Sequence, residues 1–93
     1  MYKIQYARSV LAKDLPKLKS ANLLKQFLQA VEKIKEDPFI GKQLTGPLKG
    51  KRSVRINLQH RVFYVIYQEM SAEDDIAYQG YVNILQAFGH DLK

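Results

Sequence analysis

The chain has no cysteine. That excludes a disulfide framework and every cysteine-based zinc site, and it fits a reducing, cytoplasmic compartment. No run of ~18 apolar residues occurs, so no helical membrane span is expected. The opening residues MYKIQYARSV lack a long apolar segment, so no secretory signal is expected. There is no internal repeat and no low-complexity stretch. One further absence is local. Between Pro38 and Gln68 the sequence holds no aspartate and no glutamate.

That same stretch carries Lys42, Lys49, Lys51, Arg52, Arg55 and Arg61. The remaining residues hold nine basic and nine acidic side chains, so the whole net charge of +6 comes from this one segment. Six cations of one sign among apolar strand residues point to a polyanion, RNA or DNA first. The rest is ordinary. Apolar residues make up 46% and charged residues 26% of the chain, the balance of a folded globular protein. With 93 residues, one domain over 1–93 with one small core is expected.

Periodicity sets out the elements. Tyr2, Ile4 and Tyr6 alternate with Lys3 and Gln5, which predicts a strand over Met1 to Ala7. Ser9 is placed to cap a helix from Val10, which Pro16 ends near Leu15. Ser20 is placed to cap a second helix. Its apolar stripe of Leu24, Phe27, Leu28, Val31 and Ile34 recurs at spacings of three and four and predicts a core face. Asp37-Pro38 ends that helix, because a residue before proline avoids the helical region. Gly41, Gly46, Pro47 and Gly50 mark a loop. Val54, Ile56 and Leu58 then share one strand face, and Ser53, Arg55 and Asn57 the other. A tight connection over Asn57 to His60 leads to RVFYVIY, Arg61 to Tyr67. This run is apolar on both faces and predicts a central strand with Tyr64 and Tyr67 in the core. Gln68 to Asp75 predicts a solvated hairpin loop. Tyr78 to Phe88 predicts the last strand, ended by Gly89, with His90 just beyond it.

The fold class is therefore α+β: a strand, two helices, then a three-stranded antiparallel meander. All strands form one sheet with helices packed on one face. The other face carries Arg55 and its neighbours beside the basic loop.

The segment DPFIGKQLTGPLKGKRSVRINLQHRVFYVIY, Asp37 to Tyr67, and the ending AFGHDLK, Ala87 to Lys93, resemble the RelE/ParE toxin superfamily of bacterial type II toxin–antitoxin systems. The YoeB and YafQ branches are the most similar. The shared marks are Pro47 to Gly50, Arg55-Ile56, His60-Arg61 and Tyr64. The resemblance implies a RelE-like microbial RNase fold and metal-free cutting of messenger RNA in the ribosomal A site, with no cofactor. It also implies a cognate antitoxin that forms an oligomer with the toxin. A ParE-like inhibitor of DNA gyrase and an inactive, antitoxin-binding relative share the same fold reading.

Metal-free RNA cleavage uses the adjacent 2′-OH as nucleophile. It needs a base for that proton, cations for the charge growing on the phosphate and an acid for the 5′-oxygen. In the resemblance Arg61 falls on the family's catalytic arginine; a guanidinium can grip a phosphate through two N–H bonds. Arg55 lies across the hairpin and can aim at the same phosphate. His90 matches the family's C-terminal histidine and is the candidate acid, since an imidazole changes charge near neutral pH. Lys49, Lys51 and Arg52 are the candidate RNA- or ribosome-positioning cations.

Three departures stand out. The YoeB branch has a glutamate base just before its PLKG-like run, where this chain has Thr45 and Gly46. The YafQ branch has a histidine there and an aspartate at the position of Gln59. YoeB chains end in His-Tyr, whereas His90 is followed here by Asp91. The base is then His60 or Asp91, or the cations and the ribosome suffice without one.

Overall fold

A computed structural model describes residues 2–15, 21–57 and 60–90, with the backbone alone for 87–90. The alternating start forms β1 (Tyr2–Tyr6), with Tyr2 buried. The strand ladder continues one step further, as Ala7 N–H donates to Ile84 O at 2.8 Å.

The expected first helix is a single π-helical turn, Val10–Asp14, in which Leu15 N–H bonds Val10 O at 2.9 Å. Ser9 does not cap it; its backbone is already helical and its side chain makes no capping bond. The carbonyl of Ala7 takes the N–H groups of Val10 and Leu11 instead. The physical reason is length. β1 uses the chain up to Ala7 and Pro16 follows soon after, leaving too little to repay nucleation of an α-helix. Burial of Val10 holds the turn. The Ser20 cap lies outside the described residues.

One long helix follows, α1 (Ala21–Glu36). Asp37 is extended, at φ −145° and ψ 93°, as its position before Pro38 requires. Its carboxylate accepts from Phe39 N–H at 3.1 Å and caps the 3-10 turn Pro38–Ile40. Phe27, Ala30, Val31 and Ile34 are buried, but Leu24 and Leu28 are 39% and 49% exposed. The stripe read from the sequence was too wide. At ~100° per residue, Leu28 lies a quarter-turn round from Phe27 and clears the sheet.

The two-residue strand β2 (Lys42–Gln43) and a 3-10 turn, Gly46–Leu48, break up the glycine-rich loop. Then come β3 (Arg52–Arg55), β4 (His60–Tyr67), β5 (Ser71–Glu73), β6 (Ile76–Tyr78) and β7 (Gly80–His90). The main sheet has the order β1-β7-β4-β3-β2. β3, β4 and β7 make the expected antiparallel meander, and β1 joins β7 in parallel.

Three expectations at this end need correction. Gln68 to Asp75 is not only loop, because β5 and β6 pair as a hairpin. Asp74 and Asp75 adopt positive φ, 50° and 65°, the conformation a two-residue hairpin turn demands. The last strand starts at Gly80 rather than Tyr78 and runs through Gly89 to His90. Tyr67 is 39% exposed and stacks on Tyr81, with centroids 4.7 Å apart. Val62 and Tyr64 on β4 face α1, and Ile66 packs against the same core. Arg61, Phe63, Val65 and Tyr67 therefore fall on the opposite face.

The core lies between α1 and that one face: Tyr2, Val10, Phe27, Val31, Ile34, Val62, Tyr64, Val82 and Ile84. Tyr64 also ties down the basic loop. Its buried hydroxyl donates to Pro38 O at 2.6 Å and accepts from Gly41 N–H at 3.0 Å. A Cβ on Gly41 would stand 2.1 Å from that hydroxyl, so this position requires glycine. Burial pushes the Tyr64 phenol above the ordinary 10.0.

Tyr64→Phe strands two buried backbone groups and is expected to cost about 1–3 kcal/mol in urea unfolding. The raised phenol also fixes a pH dependence. Its stabilising share is intact below pH 10.0 and is lost as pH rises through the higher folded value. Tyr64→Phe should therefore show a shallower alkaline loss than the parent.

Candidate active site

The candidate site sits at the end of the sheet where β3 turns into β4. Arg55 pairs in register with Arg61, so both side chains rise from the face opposite α1. Like charges directly opposite do not favour a sheet by themselves. Arg55 is exposed and Arg61 half-buried. Arg61 Nη1 donates to Ser53 Oγ at 3.1 Å. Ser53 is the diagonal neighbour, two residues from Arg55 on the same face.

His60 opens β4. Its backbone N–H donates to Asn57 Oδ1 at 3.0 Å, and its Nδ1 lies 3.1 Å from the same oxygen. An oxygen that accepts the backbone proton also accepts from Nδ1–H. The neutral ring then carries its lone pair on Nε2, the atom a base would use. Ile56 N–H closes the turn onto His60 O at 3.0 Å.

The third strand reaches this end as well. His60 pairs with His90, and Arg61 with Gly89. His90 is thus inside β7 rather than beyond it, and its backbone is a neighbour of His60. The β4–β7 register shifts between Arg61 and Phe63 and again between Phe63 and Tyr64. Such irregularities recur next to active sites, where they re-aim side chains. The side chain of His90 and all of Asp91 lie outside the described residues.

The lysines are elsewhere. Lys49 and Lys51 sit in the turn before β3, at the opposite end of that strand. Lys51 and Arg55 are four residue steps apart, about 13 Å of strand. Both lysines line a hollow of about 510 Å³ with Thr45, Gly46 and Gly50. Gly50 has φ +91°, which shapes the turn between the two lysines. Arg52 is tied to the fold. Its guanidinium donates to Gly41 O at 2.8 Å and lies 5.2 Å from the centre of the Phe39 ring. It braces the loop that Tyr64 anchors.

The sequence-predicted residues therefore divide. Arg55, Arg61, His60 and the backbone of His90 meet at one end; Lys49, Lys51 and Arg52 lie at the other. Sequence reasoning gave no role to Ser53 or Asn57. Their signal was there: in the sequence both alternate with Val54 and Ile56 on the side that carries Arg55, although Asn57 lies in the bend just past β3. Among the described residues, no group of three His, Asp or Glu is placed to hold a metal ion. Among the described residues, no helix is long and apolar enough to cross a membrane.

Neither a protein-family model nor a curated protein matches the sequence. Solved structures do match in shape. A YoeB/ParE toxin from Agrobacterium tumefaciens superposes with a TM-score of 0.68 at 19% identity, covering 90% of this chain and 93% of that one. The YoeB-YefM complex from Staphylococcus aureus gives 0.68 at 16% identity, covering 98% and 99%. A YoeB dimer from Staphylococcus aureus gives 0.68 at 19%, covering 97% and 98%. Near-complete coverage in both directions extends the likeness from β1 to β7. The chain has the α+β fold of the YoeB/ParE toxins.

Proposed function

We propose that this chain is the toxin of a type II toxin–antitoxin pair and acts as a ribosome-dependent messenger RNA endonuclease. The observation that carries the reading is the cross-strand pair Arg55–Arg61 beside the His60–His90 register pair. Two guanidiniums on one solvent-facing patch can share one phosphate, and the paired backbones of His60 and His90 adjoin them at the same end of the sheet.

In this reading the RNA 2′-oxygen attacks the adjacent phosphorus while His60 Nε2 takes its proton. Charge grows on the phosphate oxygens, and Arg61 and Arg55 stabilise it. The bond from phosphorus to the 5′-oxygen breaks, and His90 protonates that oxygen. The products are a 2′,3′-cyclic phosphate and a free 5′-hydroxyl. No external oxidant or cofactor enters the balance. Lys49 and Lys51, about 13 Å back along the sheet, hold the strand by its backbone and carry no base information.

The partner in this reading is an antitoxin, as in the YoeB-YefM complex from Staphylococcus aureus, and both act in the cytoplasm. A gyrase-directed toxin would not need the histidine pair. Thr45 and Gly46 stand where the resemblance implies a carboxylate, and they favour an inactive relative instead.

Induction of the chain alone in growing bacteria, with mapping of RNA 5′ ends, separates these readings. The endonuclease gives growth arrest and new in-frame ends on translated messages. DNA damage with intact messages points to gyrase, and harmless expression points to the inactive relative.

A further inference from the structure

We propose that Ser53 is a positioning residue for Arg61, a role that rests on the endonuclease reading above. Ser53 is 1% exposed, a buried hydroxyl in the middle of a four-residue strand. Serine is mostly an exposed residue, and a buried hydroxyl calls for a partner. Its partner is the guanidinium of Arg61, with Nη1 donating at 3.1 Å. No buried side-chain polar atom among the described residues is left unsatisfied.

The geometry gives this bond a purpose. Arg61 stands opposite Arg55 in the register, while Ser53 stands opposite Phe63, two residues further along the same face. The hydroxyl therefore draws Arg61 diagonally across β3, parallel to the sheet. A guanidinium is rigid and planar, so pinning one terminal nitrogen defines the orientation of the whole fork. Without the pin, a long side chain beside a like charge has more orientations open to it, and a smaller share of them suits a phosphate bound by Arg55. Placement errors of about 1 Å at a reacting centre can cost 10²-fold in rate.

Ser53→Ala tests this. The change removes the hydroxyl that accepts from Arg61, and the half-buried guanidinium keeps access to water, so the melting temperature should stay within about 5 °C of the parent. Two measurements then decide. In side-chain nitrogen NMR of the full chain, rotation about the Arg61 Nε–Cζ bond should be faster in Ser53→Ala than in the parent. An unchanged Arg61 signal overturns the inference whatever the RNA assay shows.

In cleavage of messenger RNA on translating ribosomes, Ser53→Ala should lose about 10- to 100-fold in kcat, with KM nearly unchanged. In an Arg61→Ala background the same substitution should alter the residual rate by less than about twofold. A parent-like rate, or a loss that multiplies with that of Arg61→Ala, overturns the inference. A parent that cleaves no message refutes the endonuclease reading, and the NMR arm alone then decides the placement of Arg61.

Discussion

Arg61→Ala is expected to lower messenger RNA cleavage by about 10²–10³-fold while the chain stays folded. The size follows from what the guanidinium would do. It is always charged, so it opposes the negative charge that grows on the phosphate as the 2′-oxygen attacks. The effect belongs mainly to kcat, because that charge is largest in the transition state. Arg61→Lys keeps one positive charge but loses the planar fork and its geometry with Ser53 Oγ, so it should recover only part of the rate. The fold should survive, at a cost of about 1–3 kcal/mol from leaving the buried Ser53 hydroxyl without the guanidinium. Arg61 lies on the face away from the core, and its side chain is half-buried. Circular dichroism and antitoxin pull-down should match the parent. If Arg61→Ala cleaves at the parent rate, the assignment of this arginine fails.

The second large effect is expected at the histidine pair. His90→Ala should cost about 10²–10⁴-fold, the span of general acid–base catalysis. His60→Ala should cost a similar factor if Nε2 takes the 2′-OH proton. Asn57→Ala should fall between His60→Ala and the parent, because Asn57 Oδ1 fixes the ring through both Nδ1 and the backbone N–H. The three variants bear on the missing carboxylate at Thr45 and Gly46. A large loss with His60→Ala would show that the base has moved from the loop to the start of β4. Full activity in His60→Ala would leave the cations and the ribosome to do without a protein base. A leaving-group test separates the two histidines. A substrate with a sulfur in place of the 5′-oxygen needs no protonation, so it should rescue His90→Ala and leave His60→Ala slow.

The order of elements was legible because period-two and period-3.6 patterns survive wherever one face meets the core. β1, α1 and the β3–β4–β7 meander each show this. Leu24 and Leu28 were misread because a sequence does not state how wide a helix stripe the sheet can cover. Tyr67 was misread for a related reason. The run RVFYVIY is apolar on both faces, but α1 covers only one of them. The π-helical turn at Val10–Asp14 and the hairpin of β5 and β6 are set by chain length and turn backbone, neither of which has a periodicity.

The site was half legible. The resemblance pointed to Arg55, Arg61 and His90, and the strand pattern placed Arg55 across the hairpin from Arg61. The sequence did not show that Lys49 and Lys51 lie a full strand length from that pair, or that Arg52 braces the loop through Gly41 O. Ser53 and Asn57 were passed over because their chemistry is visible only through the partners they touch.

The most direct test is a primer-extension measurement on purified ribosomes stalled with a known codon in the A site. The full chain is added with a metal chelator limited to spare the ribosome's own magnesium. The account predicts a single cut within that codon, a 2′,3′-cyclic phosphate at the new 3′ end, and no cut by Arg61→Ala. An intact message with the parent chain, or equal cutting by Arg61→Ala, would contradict it.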